Sequence, residues 1–255
     1  MSTIAAIASH LQRQHAAACR RRRTAAPWTH TGTHYLSSDG ASGSYADAAT
    51  SAAARVVFSG TGAPTFTIAA WVTPTLYSSG QYAMQVSDDG APAAGIQAND
   101  DFGFFGSATN AAGTQDGVNG DQSGAVHVAL VANGSTVELY ENGVSKGSVS
   151  LPAPPYANVD ALTLFAGYAY APAGHMAGDL RDVAVWDRAM SAAEVAALHT
   201  AGAGHDLRTN VGAYTGGGPE HWWPADGDSG TTVTDRGSVG GCSLTLHGGV
   251  TIEAV

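Results

Sequence analysis

The sequence predicts an all-β protein built on an antiparallel sandwich, and three observations predict it. Residues 65–74, TFTIAAWVTP, alternate Phe66, Ile68, Ala70 and Val72 on one face with Trp71 on the other. Residues 125–150 carry two Asn-Gly pairs, Asn133-Gly134 and Asn142-Gly143, between alternating segments. The 255-residue chain has 33 glycines and only 13% charged residues, a composition of short strands and many turns.

Taken in order, the elements follow from local chemistry. Large side chains on both faces of 65–74 mark a central strand, buried on two sides, and Pro74 ends it because proline cannot donate to a ladder. Each Asn-Gly pair predicts a type I′ hairpin, whose two central residues need positive φ. AVHVALVA, STVELYE and VSKGSVSL then form a three-stranded meander. ALTLFAGYAY (161–170) and GDLRDVAVW (178–186) read as two more strands. SAAEVAALH (191–199) reads as a short helix: Ser191 and Glu194 make a capping box, and Val195 and Leu198 line its buried edge. From residue 220 to 252 the pattern returns to strands and tight turns, led by Trp222-Trp223-Pro224.

The N-terminus differs in kind. Residues 1–24 hold five arginines, Arg13 with Arg20, Arg21, Arg22 and Arg23, and no acid. The remainder holds 6 basic residues against 21 acids, a formal balance of −15. Such a body is a poor nucleic-acid surface, since phosphate binding needs clustered Lys and Arg, so only the arm could serve there. Ser2 can cap a helix over residues 2–19, with Ile4, Ile7 and Leu11 at 3- and 4-residue spacing. That stripe is too narrow to hold a helix alone in water. The arm is therefore expected to dock on its own body, a sister chain or a larger assembly, and its arginines either anchor it to an acidic surface there or form a plain solvated charge run. Its apolar residues precede the basic ones, the reverse of a secretory signal. No stretch approaches the ~18 apolar residues of a membrane helix, and no membrane partner is expected. Cys19 and Cys242 are too few for a disulfide framework or a zinc site and read as free thiols.

Three ordered blocks carry a family resemblance. They are Phe66 to Val72, then His127-Val128-Ala129-Leu130-Val131 with Leu139 to Val144, then Gly178 to Arg188 with Met190, Ser191 and Glu194. Over about residues 50–200 they resemble the laminin-G-like, concanavalin-A-like lectin/glucanase superfamily. Arg181 stands where the family usually has an acid, leaving Asp182, and Trp186 replaces a tyrosine. The resemblance implies an antiparallel jelly-roll sandwich over residues 27–204, preceded by the helical arm, 1–26. A C-terminal β segment, 205–255, resembles the opening strands of such a domain. It either completes the sandwich or forms a partial second copy.

Domains of this kind without an export signal resemble those of bacteriophage virion proteins. The implied function is a non-enzymatic virion component, a capsid decoration or fibre-like protein, with other virion proteins as partners. A symmetric homo-oligomer such as a trimer fits an apolar arm. The alternative is a carbohydrate- or receptor-binding tail adhesin. A glycoside hydrolase is least favoured: hydrolases on this fold carry Glu-x-Asp-x-x-Glu, and none of Glu138, Glu141, Glu194, Glu220 and Glu253 lies in that pattern.

No cofactor is required, but the resemblance brings Ca²⁺ at the sandwich rim, held by aspartates and loop carbonyls. Candidate ligands are Asp88, Asp89, Asp100 and Asp101 with Asn99, and separately Asp226 with Asp228; the competing reading is that these residues simply make turns. Candidate glycan or interface aromatics are Tyr168, Tyr170, Phe102, Phe104, Phe105, Trp222 and Trp223. For the two tryptophans, core or interface packing is the heavier reading.

Overall fold

The computed structural model describes residues 34–48, 65–75, 80–88, 91–98, 104–109, 115–120, 125–134, 136–150, 159–167 and 174–255. The N-terminal arm expected over residues 1–26 lies outside them. The described strands are β1 (His34–Asp39), β2 (Tyr45–Ala48), β3 (Thr65–Pro74), β4 (Gln81–Asp88), β5 (Ala91–Ala98), β6 (Phe104–Thr109), β7 (Gln115–Asn119) and β8 (Val126–Asn133). They continue with β9 (Thr136–Glu141), β10 (Val144–Ser150), β11 (Val159–Leu164) and β12 (Ala177–Trp186). After helix α1 (Ala192–Ala201) come β13 (His221–Trp223), β14 (Thr232–Val233), β15 (Leu244–His247) and β16 (Thr251–Ala254).

The strands form two antiparallel sheets of eight, as the sequence predicts. The first runs β10-β9-β8-β3-β12-β1-β16 with β13 also paired to β12; the second runs β14-β15-β2-β11-β4-β5-β6-β7. Residues after 205 contribute strands to both sheets. Between the sheets, Phe66, Ile68 and Val72 of β3, Leu130 of β8 and Leu180 of β12 meet Met84, Ile96, Leu162, Leu164 and Leu246 in one core. Each such side chain contributes roughly 1.5–3 kcal/mol by leaving water.

The first sheet is apolar on its outer face too. Ala69, Ala129, Val131, Tyr140, Ala184 and Trp186 pack there against Val195 and Leu198 of α1 and against Met190, Leu207 and Tyr214 of its flanking segments. This explains the doubly apolar reading of β3, which lies between β8 and β12.

Three local expectations are corrected. The meander forms, and Asn142 (φ 50°) with Gly143 (φ 78°) makes the second turn as expected. Gly143 is also needed by packing, since a Cβ there would come within 2.9 Å of the Ala196 backbone. The first turn falls one residue late: Asn133 ends β8, and Gly134 carries the positive φ of 67°. Strand β11 stops at Leu164 rather than running to residue 170. Phe165 turns out of it at φ 60°, because its ring is fully buried in the core and its backbone bonds Ala83 and Met176. The helix starts at Ala192, with Ser191 as its N-cap, and reaches Ala201.

Candidate functional site

The residues that carry the family pattern are fasteners. The Thr67 hydroxyl donates to the Arg188 carbonyl at 2.9 Å and accepts the Met190 N–H at 3.0 Å, joining β3 to the segment before α1. Ser191 and Glu194 cap the helix reciprocally, and the Arg188 guanidinium pairs with Glu194 at 2.8 Å. Asp182 lies on a bulge of β12 at φ 51° and accepts the Gly204 N–H at 2.5 Å, pinning the chain beyond the helix. Burial pushes its carboxyl up to about 6, against the pull of Gly204, Arg181 and the Trp222 indole. Across the same cleft, burial with help from His199 pushes His127 down to about 3. Asp182 and His127 line this cleft with Trp71, Trp186, Leu198 and Leu207, and it has room for about one water molecule. At that size the cleft admits water rather than a saccharide.

The tail contains a second buried knot. Asp235 lies 2.6 Å from His221 Nδ1 and accepts the N–H groups of Trp222, Gly237 and Cys242. Burial opposes ionisation of Asp235, but His221 with the Gly237 and Trp222 N–H groups outweighs it and holds the carboxyl below its ordinary range. The nearby Cys242 thiol is pushed up to about 12 by burial and by Asp235, so it is no nucleophile at neutral pH. Trp223 donates its indole N–H to the Cys242 carbonyl at 2.7 Å, and His221 stacks on it at 5.8 Å. This Cys–His–Asp grouping ties β13 to the chain that follows it.

The outer face of the second sheet is different. Its strands place Thr245, Asp47, Thr163, Gln85 and Gly95 in one register row across β15, β2, β11, β4 and β5. Thr163 and Gln85 are fully buried. Gly167, just beyond β11, lies over them, where a Cβ would come within 2.7 Å of the Tyr82 ring and 3.0 Å of Gln85 Oε1. His175, at the far end of that connection, is clasped by the β1–β2 turn. Its Nδ1 is 3.1 Å from the Ser44 carbonyl and its Nε2 accepts the Gly43 N–H.

The β2–β15 end of the row stays half exposed. There Tyr45 and His247 stack at 4.3 Å with ring planes 16° apart, and His247 Nε2 lies 2.9 Å from Asp47 Oδ1. Partial burial, with the Asp47 charge, raises the Tyr45 phenol above its ordinary range. Two turns fix the strands. Gly248 (φ 61°) packs so closely that a Cβ there would collide with the Gly43 carbonyl. Asp39 accepts the Ser44 hydroxyl, whose oxygen in turn accepts the Gly249 N–H. A flat ring surface beside a partly exposed carboxylate, held by a rigid backbone, is suited to stacking on a sugar ring and accepting its hydroxyls.

Sequence reasoning missed this cluster, because Asp47 and His247 are 200 residues apart. The signal that could have found it is modest: Tyr45 with Asp47 and Thr245 with His247 each share one face at period 2. Of the residues the sequence did single out, Ile4, Ile7, Leu11 and Arg20 to Arg23 lie outside the described residues. So do Tyr168, Tyr170, Asp89, Asn99, Asp100, Asp101 and Phe102. Asp88 pairs through its backbone at the end of β4, and Phe104 and Phe105 open β6.

Trp222 and Trp223 are 5% and 1% exposed, so neither ring offers a face to a glycan. One packs in the helix-side cluster beneath the Arg208 guanidinium, the other in the main core. Asp226 and Asp228 are committed to the turn and to cations. Asp226 accepts the His34 N–H; Asp228 bonds the Thr234 N–H and hydroxyl and pairs with Arg236 at 3.3 Å. No group of three or more His, Cys, Asp or Glu able to hold a metal ion occurs among the described residues.

A two-sheet sandwich with these three blocks defines a lectin-type fold. The chain belongs to the concanavalin A-like lectin/glucanases superfamily, whose family model matches residues 39–196. The match includes Tyr45 and Asp47 but ends well before His247, so the cluster joins the family domain to the tail. Among solved structures, a heptameric SAP-like pentraxin from Limulus polyphemus is similar, with TM-score 0.60, 12% identity and coverage of 89% of this chain and 97% of that one. A Bacteroides ovatus protein described as carbohydrate binding gives TM-score 0.59 and 16% identity over 89% of this chain, which spans 61% of that protein. At these identities the likeness is one of fold. No curated protein matches the sequence.

Proposed function

We propose that the chain is a non-catalytic, lectin-like binding module that takes a glycan on the outer face of its second sheet, at Tyr45, Asp47, Thr245 and His247. One observation carries this reading: the Tyr45–His247 stack touching Asp47 on the half-exposed end of a polar sheet face. The superfamily and the fold shared with the Bacteroides carbohydrate-binding protein support it. Three of the five glutamates have local partners. Glu194 is spent on the helix cap, Glu138 bonds Ser145, and Glu253 bonds Thr251. The test is a glycan array followed by calorimetry with Tyr45→Ala and Asp47→Asn. Roughly tenfold or greater loss of affinity in each, with no reducing sugar released by the parent protein, is expected. Retained affinity in both variants would refute the site.

The setting we propose is a virion, with residues 1–26 anchoring a homo-oligomer to other virion proteins. Its support is the contrast between a five-arginine arm and an acidic body. Deleting residues 1–24 should abolish incorporation into particles, measured by mass spectrometry of purified virions; unchanged incorporation would refute the anchor.

A further inference from the structure

We infer that the ligand of this face is an uncharged saccharide and that sialylated, uronic and sulfated glycans are rejected. This rests on the binding reading above and adds the chemistry of selection. None of the eight strands of the second sheet contains a lysine or arginine, whereas Asp47 stands in the outer row itself. Their one basic side chain is His247, and its Nε2 is already engaged by Asp47. A sugar carboxylate or sulfate is bound most strongly by a guanidinium, an ammonium or a helix N-terminus. The described helix packs on the other sheet, and its N-cap is closed by Glu194.

Asp47 is instead matched to hydroxyls. Its Oδ1 holds the imidazole, and its Oδ2 accepts a hydrogen bond from no described group. An ionised carboxylate is an acceptor only, so it takes O–H groups in pairs and repels an anion. A residual body charge of −15 outside the first 24 residues adds a field of the same sign.

The experiment uses the full chain on an array of neutral oligosaccharides of glucose, galactose, mannose and N-acetylhexosamines, beside sialylated and sulfated forms of the same cores. Neutral cores should be retained with little dependence on salt. A terminal sialic acid or sulfate should weaken binding by about tenfold or more. Asp47→Asn should weaken neutral binding, and Asp47→Lys should move the preference toward the acidic forms. Acidic glycans bound as well as or better than neutral ones would overturn this inference and leave the lectin reading standing. Binding to no glycan at all would overturn the lectin reading, and this inference with it.

Discussion

The two sheets of this sandwich share a core but treat their outer faces in opposite ways. The first sheet's outer face is apolar and sealed by α1, with Trp186, Val195, Leu198 and Tyr214 at 2% exposure or less except Leu198 at 4%. The second sheet's outer face is a polar row, buried at Thr163 and Gln85 beneath Gly167 and half exposed at Tyr45, Asp47 and His247. On the binding reading proposed above, the difference separates stability from function. The residues that make the family recognisable fasten the sealed face, while the residues with chemistry to offer lie on the open one. A family pattern here reports how the chain folds more than what it binds.

The sharpest way to break this comparison is to damage each face and compare the cost. Trp186→Ala removes a buried ring that also donates to the Tyr214 hydroxyl at 3.0 Å. It should cost about 3–5 kcal/mol in urea denaturation. A loss below about 1 kcal/mol would mean that the helix is not a structural seal.

Next in size is a pH effect confined to the sealed face. His127, pushed from 6.5 down to about 3, contributes stability that is present above pH 6.5 and lost as pH falls toward 3. Asp182, pushed from 3.8 up to about 6, contributes stability that is full below 3.8 and lost as pH rises through 6. Both changes fall on acidification, with opposite signs. His127→Leu should therefore gain stability relative to the parent at about pH 4 compared with about pH 7, read from urea midpoints. An unchanged pH profile would show that His127 is not held neutral.

Smaller still is the helix cap. Ser191→Ala should cost about 1 kcal/mol, because the side chain satisfies the Glu194 N–H. On the open face, Asp47→Asn and Tyr45→Ala should change stability by less than about 1 kcal/mol, since a half-exposed hydrogen bond and ring stack contribute little. A large loss in either would recast the cluster as structural.

The sealed half was the more legible in sequence, for physical reasons. Alternation in residues 65–74, the Asn142-Gly143 turn and the Ser191–Glu194 box are all local, so short-range chemistry specified them. What failed was decided by distant partners. Phe165 adopts a left-handed φ because the core takes its ring, and no neighbouring residue announces that. For Trp222 and Trp223 the sequence favoured core or interface packing over a platform but could not exclude the latter, because both roles favour large aromatics; both rings are buried. The candidate site was nearly silent, since β2–β15 pairing brings together residues 45–47 and 245–247, and each tetrapeptide alone is an ordinary short strand.

The most direct test of the two-face account is hydrogen–deuterium exchange of the whole protein with and without the best-retained neutral oligosaccharide. Added protection should appear over residues 43–48 and 244–249 and be absent from 181–214. Protection over the helix and its flanks, with none in β2 and β15, would contradict the account.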